Sequence, residues 1–212
     1  MKQLFLTLLS SAICIFTSCN STKQISNEME NKVIETIMNR RSIRAYKPEA
    51  VDRKKMDIIA KCGINAPNGM NSQQWEVRIV DNPEFINGTT KIYVDKMKND
   101  PRGASMVQNP DFKNMYRNAP TVIFIAIKEG RFTQIDCGLM SENMILAAQS
   151  MGIGSVCLGG SVDFLNSPEA SEYIEKLNFS EGYKLALVIG FGYPDQAPEA
   201  KPRDSSKIKW ID

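Results

Sequence analysis

The sequence predicts an α+β fold in which helices wrap a small mixed central sheet. Residues 75–80 alternate apolar and polar side chains, which is the pattern of a half-buried strand. Residues 120–127 are apolar almost throughout, which predicts a central strand covered on both faces. Helical and strand patterns follow one another along the chain without strict alternation, and this mixture favours a helix-wrapped sheet.

Local patterns predict the other elements in chain order. Residues 28–39 carry apolar side chains at helical spacing. A second helix begins near Asp52, a favourable N-cap residue, and a third follows Pro83 and runs to about Lys98. The second helix is expected to bury Met56, Ile59, Ala60 and Gly63. Later segments are predicted as a central helix, a short strand, a helix and a buried strand, at residues 136–151, 155–158, 168–177 and 184–190. After Pro194 we predict an irregular end.

Residues 99–118 interrupt every periodic pattern with Asn, Pro, Gly, Asp and Arg. We predict a long loop here, with room for a short helix. Long loops in compact domains often act as functional lids, so this one is expected to help shape a substrate pocket. The candidate pocket residues in it are Arg102, Phe112, Tyr116 and Arg117.

Residues 1–18 have the features of a secretory signal peptide. A short basic start precedes an apolar run, residues 4–16, that is too short to span a bilayer as a stable helix. Small residues then precede Cys19, which resembles the lipobox of bacterial lipoproteins, with Phe16 in place of the usual Leu. This pattern predicts lipidation of Cys19, a tether over residues 19–27 and a folded domain over 28–212. The protein would then be lipid-anchored in the cell envelope, facing the periplasm or the exterior. An ordinary signal peptide or a buried first helix is the alternative.

Charge and residue content exclude several classes of function. The net charge is +2 with no basic block, which gives no electrostatic case for nucleic-acid binding. The chain has no histidine, which excludes Ser-His-Asp and Cys-His catalysis and the common histidine-rich metal sites. Beyond Cys19, three cysteines without a CxxC pair favour neither a disulfide framework nor a metal site. Each lies in an apolar stretch, which predicts buried packing for Cys62, Cys137 and Cys157.

Residues 40–44, at the end of the first predicted helix, form a potential phosphate clamp. Three arginines and a serine lie within five residues, and the guanidinium fork matches phosphate oxygens. On its own, such a cluster is equally explained by solvation and by the dipole of the helix that it ends.

Three further segments could complete a binding site. Residues 66–75 place amides and hydroxyls in a loop between a helix and a strand. Residues 152–160 bracket a short strand with glycines, which allow the backbone to approach a flat ring closely. Residues 201–203 add two cations near the C-terminus. Taken singly, these segments are also explained as a polar turn, a tight strand exit and a solvated tail.

In this order and spacing, the four segments resemble the nitroreductase family, over essentially the whole chain from about Glu30. The resemblance implies extensive dimerisation, with one FMN bound at each of two sites in the homodimer interface. The family commonly has Gln-Pro-Trp where this chain has Gln73-Gln74-Trp75, a change that loosens the turn without removing a cofactor contact.

The resemblance also implies which residues contact the cofactor. The FMN phosphate and ribityl chain would be held by Arg40, Arg41, Ser42 and Arg44, joined by Lys201 and Arg203. The loop that reaches across from the partner subunit would contribute Pro67, Asn68, Gly69, Asn71 and Gln73. The isoalloxazine would lie against Leu158, Gly159 and Gly160, with their backbone amides at its polar edge. No side chain is assigned as catalytic, because the flavin carries the redox chemistry.

The activity implied is that of an FMN-dependent NAD(P)H oxidoreductase. It would reduce nitroaromatic, quinone or similar oxidised small molecules by ping-pong transfer through the flavin. A lipid anchor conflicts with this donor, since nicotinamide nucleotides are normally confined to the cytoplasm. The anchor prediction could be wrong, electrons could come from an unknown membrane or periplasmic redox partner, or the protein could only hold flavin. The main alternative function is therefore a non-catalytic flavin-binding or electron-carrier lipoprotein, followed by a flavin-fragmenting or dehalogenating enzyme.

Overall fold

A computed structural model describes residues 31–101 and 103–211. The chain divides into two compact units, residues 1–39 and 40–212. The described part of the first unit is helix α1 (Lys32–Asn39), which begins after Asn31, whose side-chain oxygen accepts from the Val33 amide at 2.9 Å. The predicted signal peptide, Cys19 and the tether lie outside the described residues, as does Arg102.

The second unit contains the helices and strands that the sequence predicts, and several shorter elements. In chain order these are α2 (Arg53–Ile64), β1 (Trp75–Val80), α3 (Pro83–Met97), α4 (Ala104–Val107), β2 (Thr121–Lys128), α5 (Thr133–Ser150), β3 (Gly154–Cys157), α6 (Gly159–Leu165), α7 (Ser171–Lys176) and β4 (Tyr183–Gly192). Short 3-10 turns cover Gly69–Asn71, Pro168–Ala170 and Ser205–Lys207. Helix α6 was not predicted, because its two leading glycines suggested a strand exit.

The four strands form one sheet in the order β1-β2-β4-β3, and each neighbouring pair is antiparallel. The predicted α+β class, a small sheet wrapped by helices, is confirmed. Among the described residues, the sheet is mixed only through a parallel bridge between Ser42 and Ser155. Strand β4 lies between β2 and β3 and runs antiparallel to both.

Strand β2 lies at the centre of the core, as its apolar sequence predicts. Its alternate side chains enter two different apolar clusters, with Val122 and Phe124 in one and Ile123 and Ile125 in the other. The second cluster also contains Met56 and Ile59 of α2, together with Met140 and Met144 of α5. Asp52 caps α2 as predicted, accepting from the Lys54 amide at 2.9 Å. Met56, Ile59 and Gly63 are buried, whereas Ala60 is only half-buried.

The 99–118 segment is a loop that contains the short helix α4, as predicted, but one of its candidate residues was misassigned. Tyr116 is fully buried and packs edge-on against Phe124 at a centroid distance of 5.8 Å. Its hydroxyl donates to Thr89 Oγ1 at 2.9 Å. Tyr116 is therefore a core residue and does not line a substrate pocket.

We expect Tyr116→Phe to lower the free energy of unfolding by about 1 kcal/mol, because a buried hydrogen bond is lost. Thr89 keeps its bonds to the carbonyl oxygens of Phe85 and Ile86, so it is not left unpaired. Urea denaturation measures the change. Unaltered stability would show that the hydroxyl contributes nothing to the core.

The three cysteines differ in exposure. Cys137 is buried as predicted, Cys62 is half-buried and Cys157 is exposed. The prediction that Cys157 is buried was wrong. Cys157 is the last residue of β3, an outer strand of the sheet, and its side chain lies on the opposite side of the strand from Val156, which belongs to an apolar cluster. Within the described residues, no cluster of His, Cys, Asp or Glu could hold a metal ion. No helix described is long and apolar enough to cross a membrane.

Candidate functional site

The arginine segment, residues 40–44, lies as an extended strand beside β3. Ser42 bridges Ser155, and the Ile43 amide donates to the Ser155 carbonyl at 3.0 Å. Ile43 is buried, and a Cβ on Gly154 would lie 2.8 Å from Ile43 Cγ1, so only glycine allows this approach. Side chains alternate along an extended segment, so Ser42 and Arg44 face away from the core that holds Ile43.

Tyr46 packs against this segment from the core side. Its hydroxyl donates to the Ile43 carbonyl at 2.6 Å, and its ring is buried. Burial raises the pKa of Tyr46, and the nearby Arg44 guanidinium opposes that rise only in part. Tyr46 is therefore neutral at physiological pH and acts as a packing and hydrogen-bonding support. The Arg44 guanidinium donates a 3.3 Å hydrogen bond to the Ser42 carbonyl, and its side chain is exposed.

Leu158, Gly159 and Gly160, called here the glycine segment, directly follow β3, the strand that pairs with the arginine segment. The Leu158 amide donates to the Val188 carbonyl at 2.8 Å, and the Leu158 side chain is buried in the core. Leu158 is therefore engaged within its own chain, which leaves Gly159 and Gly160 to contact a ligand. A Cβ at either glycine would meet nothing within 4 Å, and neither has a positive φ. Nothing in the chain's own packing or backbone conformation requires glycine at these two positions.

Cys157 lies between the two segments. Its residue surface is exposed, yet the surrounding protein still raises the pKa of the thiol by desolvation, and Arg40 offsets part of that rise. A thiol at a strand end can be accessible on one side and shielded on the other.

The polar loop before β1 is held in an unusual backbone conformation. Met70, Asn71 and Gln73 all have positive φ, at 54°, 53° and 48°. Such conformations are uncommon for residues other than glycine and persist where surrounding contacts impose them. Here the Asn68 side chain accepts from the Gln73 amide at 3.0 Å.

A buried carboxylate secures the same loop from helix α5. Asp136 accepts from the Gly69 amide, with distances of 3.2 and 3.3 Å to its two oxygens. The Pro67 and Asn71 side chains are exposed, and Met70 is 93% exposed. The loop is therefore held to α5 at Gly69, while Pro67, Met70 and Asn71 face outward. Its predicted contact with a cofactor in the partner subunit stays a prediction.

We expect Asp136→Ala to lower the free energy of unfolding by about 1–3 kcal/mol, because the Gly69 amide loses its charged acceptor. Urea denaturation measures this loss. Asp163→Ala removes an exposed carboxylate elsewhere and is expected to have little effect. Equal stability of both variants would show that Asp136 does not secure the loop.

The C-terminal cations Lys201 and Arg203 are exposed in the segment that follows β4. This segment starts beside the arginine segment, since the Asp195 amide donates to the Ala45 carbonyl at 3.0 Å and the Lys47 amide to Tyr193 at 2.9 Å. Among the described residues, neither Lys201 nor Arg203 forms an ion pair within the chain. The structure therefore places the start of the tail next to the clamp but does not bring the two cations to it.

An open groove faces Arg44 on the side of the 99–118 loop. Three of its residues were named from the sequence, Arg44 for the cofactor and Phe112 and Arg117 for the pocket, and the other six were missed. The complete lining is Arg44, Met106, Asn109, Asp111, Phe112, Asn114, Met115, Arg117 and Asn118. The repeated asparagines at 109, 114 and 118 were the available signal, because asparagine side chains stabilise turns through hydrogen bonds to nearby backbone groups.

Comparison with known proteins identifies what the chain resembles. The model of the "Nitroreductase family" matches residues 37–193. The NADPH-flavin oxidoreductase of Vibrio harveyi is 28% identical over 173 residues, which cover 82% of this chain and 70% of that protein. A nitroreductase from Bacteroides fragilis, solved with bound FMN, has a TM-score of 0.77 at 25% identity, covering 86% of this chain and 100% of that one. A second FMN-bound nitroreductase, from Desulfitobacterium hafniense, has a TM-score of 0.76 at 26% identity, with coverage of 87% and 100%.

Proposed function

The chain belongs to the nitroreductase family, and we propose from this premise that it is an FMN-dependent NAD(P)H oxidoreductase. The observation that carries the proposal is the pairing of the arginine segment with Ser155 of β3, the strand that Gly159 and Gly160 follow within three residues. Two relatives with the same fold contain FMN, and another is named an NADPH-flavin oxidoreductase. The substrate is not fixed by these likenesses.

The described residues fit FMN in two respects. Gly159 and Gly160 leave open space where side chains would stand, although nothing within the chain requires their absence. A flat ring lying against the backbone gives a reason for them. Beside them, arginines and Ser42 offer the planar donors and hydroxyl that suit a phosphate and a polyol. The donor set and the open backbone thus match the two ends of one ligand.

Each part of the site has a distinct task in the proposed reaction. When bound, FMN supplies the two-electron redox chemistry. Arg40, Arg41, Ser42 and the exposed Arg44 would hold its phosphate and ribityl chain. Gly159 and Gly160 allow the backbone to approach that ring and offer amides, which have no intrahelical partners in the first turn of a helix. We assign no proton-donating side chain.

We further propose that oxidised small molecules such as nitroaromatics and quinones are the acceptors. The FMN-loaded protein is mixed anaerobically with NADPH or NADH and then with an acceptor, and flavin absorbance is followed through both steps. Bleaching by the nucleotide and recovery with the acceptor are expected. Bound flavin that neither nucleotide bleaches would contradict the NAD(P)H reductase and favour a carrier supplied by a redox partner.

A homodimer would complete the site, because the exposed residues Pro67, Met70 and Asn71 make this loop accessible to a second subunit. Helix α5 offers a surface for such a partner. Ile135 is 62% exposed, Leu139 and the neighbouring Phe132 are also exposed, and a Cβ on Gly138 would meet nothing within 4 Å. A second copy of the chain that covers this apolar face would bring each 66–73 loop towards the other subunit. Sedimentation equilibrium tests the assembly, and a monomer at micromolar concentration would contradict it.

We also propose that the mature protein is anchored in the cell envelope through a lipid on Cys19. The proposal depends on the signal-peptide pattern and the small residues before that cysteine. In cells that carry out lipoprotein processing, an alkyne-labelled fatty acid should label the parent chain and not Cys19→Ala. Fractionation should find the parent with membranes and the variant elsewhere. Absence of label on the parent chain would refute the anchor.

A further inference from the structure

The groove between Arg44 and the 99–118 loop combines an apolar interior with a charged rim. Asn114 and Met115 are buried, and Phe112 and Met106 are half-buried, whereas Arg44 and Arg117 are exposed. The two arginines outnumber the one carboxylate in the lining, which is that of Asp111. A ligand with an apolar body and one negative group would match this distribution.

Two asparagines fix the shape of the loop. The Asn118 side-chain oxygen accepts from the amides of Lys113 and Asn114, at 2.8 and 3.1 Å. The Asn114 side-chain oxygen accepts from the amides of Tyr116 and Asn118, at 2.9 and 3.0 Å. Their amide nitrogens donate to the backbone carbonyls of Asp111 and Ala119. The loop is therefore organised before any ligand arrives, which lowers the entropic cost of binding.

This network holds Arg117 in a backbone conformation that arginine rarely adopts. Its φ is 57°, and the next residue, Asn118, has a φ of 66°. Non-glycine residues in this region are strained and are concentrated at active sites and ligand clamps. Buried Tyr116 on one side and Ala119 on the other anchor the turn that presents Arg117 to the groove.

The Arg117 guanidinium has no hydrogen bond or ion pair with any residue that the structure describes, although Asp111 lines the same groove. Other surface cations of this chain are paired, for example Arg53 with Asp81 at 2.7 Å and Lys96 with Glu169 at 2.9 Å. A guanidinium fork binds carboxylates and phosphates with two parallel hydrogen bonds. The partner that suits Arg117 is therefore an anion supplied from outside the chain.

We propose that Arg117 selects reacting molecules that carry a carboxylate or phosphate, with their apolar part against Phe112 and Met115. The inference rests on the proposed oxidoreductase function and adds to it the charge of the ligand. The anion could belong to the oxidised acceptor or to the nucleotide donor. Arg44 faces the same groove, so a ligand held by Arg117 lies beside the proposed flavin site.

Binding is tested first, without any redox step. The full-length, FMN-loaded protein is titrated with benzoate and with the isosteric neutral benzamide, and the backbone amide shifts of residues 109–118 are followed by NMR. Arg117→Gln is expected to weaken benzoate binding at least about tenfold relative to benzamide, as loss of a charge-assisted bond implies. Lys113→Gln is the matched control, since it removes an exposed charge from the same loop but not from the groove lining.

Turnover then locates the anion. If Arg117→Gln lowers kcat/KM for 4-nitrobenzoate relative to 4-nitrobenzamide, the anion belongs to the acceptor. If it lowers kcat/KM only for the nucleotide, the anion belongs to the donor. If the ratio of the benzoate and benzamide dissociation constants were the same in Arg117→Gln as in the parent, the inference would be overturned. If Arg117→Gln weakened FMN binding as much as it weakened benzoate binding, the inference would also be overturned, because the groove would then hold the FMN phosphate. Benzoate binding through Arg117 without turnover of either nitro compound would sustain the anion selectivity and contradict the reductase.

Discussion

Gly160→Val should weaken FMN binding about 5- to 150-fold while leaving the fold intact. A Cβ at this position meets nothing of its own chain within 4 Å, so the added side chain extends into the space assigned to the flavin ring. Forcing extra methyl groups into a well-packed contact costs about 1–3 kcal/mol, which corresponds to this range of affinity. The FMN dissociation constant is measured by fluorescence, because free and bound flavin differ in emission.

A contrasting glycine separates cofactor loss from misfolding. Gly154→Ala would place a Cβ 2.8 Å from Ile43 Cγ1 and should lower the melting temperature, whereas Gly160→Val should not lower it. Valine is also a better helix former than glycine, which favours the first turn of α6. If Gly160→Val binds FMN as tightly as the parent, the flavin does not lie over this backbone.

The second large effect is expected from the arginine segment and the tail. Arg44→Ala and Arg203→Ala should each weaken FMN binding about 10- to 150-fold, because a charge-assisted hydrogen bond is worth about 1.5–3 kcal/mol. The two residues are assigned differently: Arg44 lies beside β3, whereas Arg203 must be carried to the cofactor by the tail that starts next to Ala45.

Lys209→Ala is the control for the tail, since it removes an exposed cation from the same segment without a proposed cofactor contact. Its FMN affinity should match that of the parent. Unchanged affinity in both arginine variants would refute the phosphate site. Loss with Arg44→Ala alone would keep the clamp beside β3 and remove the tail from it.

The elements with a clear capping residue or a clear apolar pattern were predictable from sequence. Asp52 marks the start of α2, and the continuous apolar run of β2 does enter both apolar clusters. Helix α6 was missed because two glycines disfavour a helix by about 1 kcal/mol each. Burial of Phe164 and Leu165 against the core overrides that local preference.

The proximity of site residues was predictable only through the family resemblance. Ser42 and Ser155 meet through a bridge between positions far apart in sequence, and no local pattern specifies such pairing. Tyr116 was misassigned for the opposite reason. Asparagines and arginines interrupt the pattern around it, so no periodicity indicates that Met115 and Tyr116 turn into the core. The groove opposite Arg44 likewise depends on the fold of the loop.

The visible absorption spectrum of the purified full-length chain tests the central claim most directly. The account predicts flavin bands at about one FMN per chain, retained on gel filtration, which are bleached anaerobically by NADPH or NADH. A colourless protein that also fails to take up added FMN would contradict the assignment of the arginine and glycine segments as a flavin site.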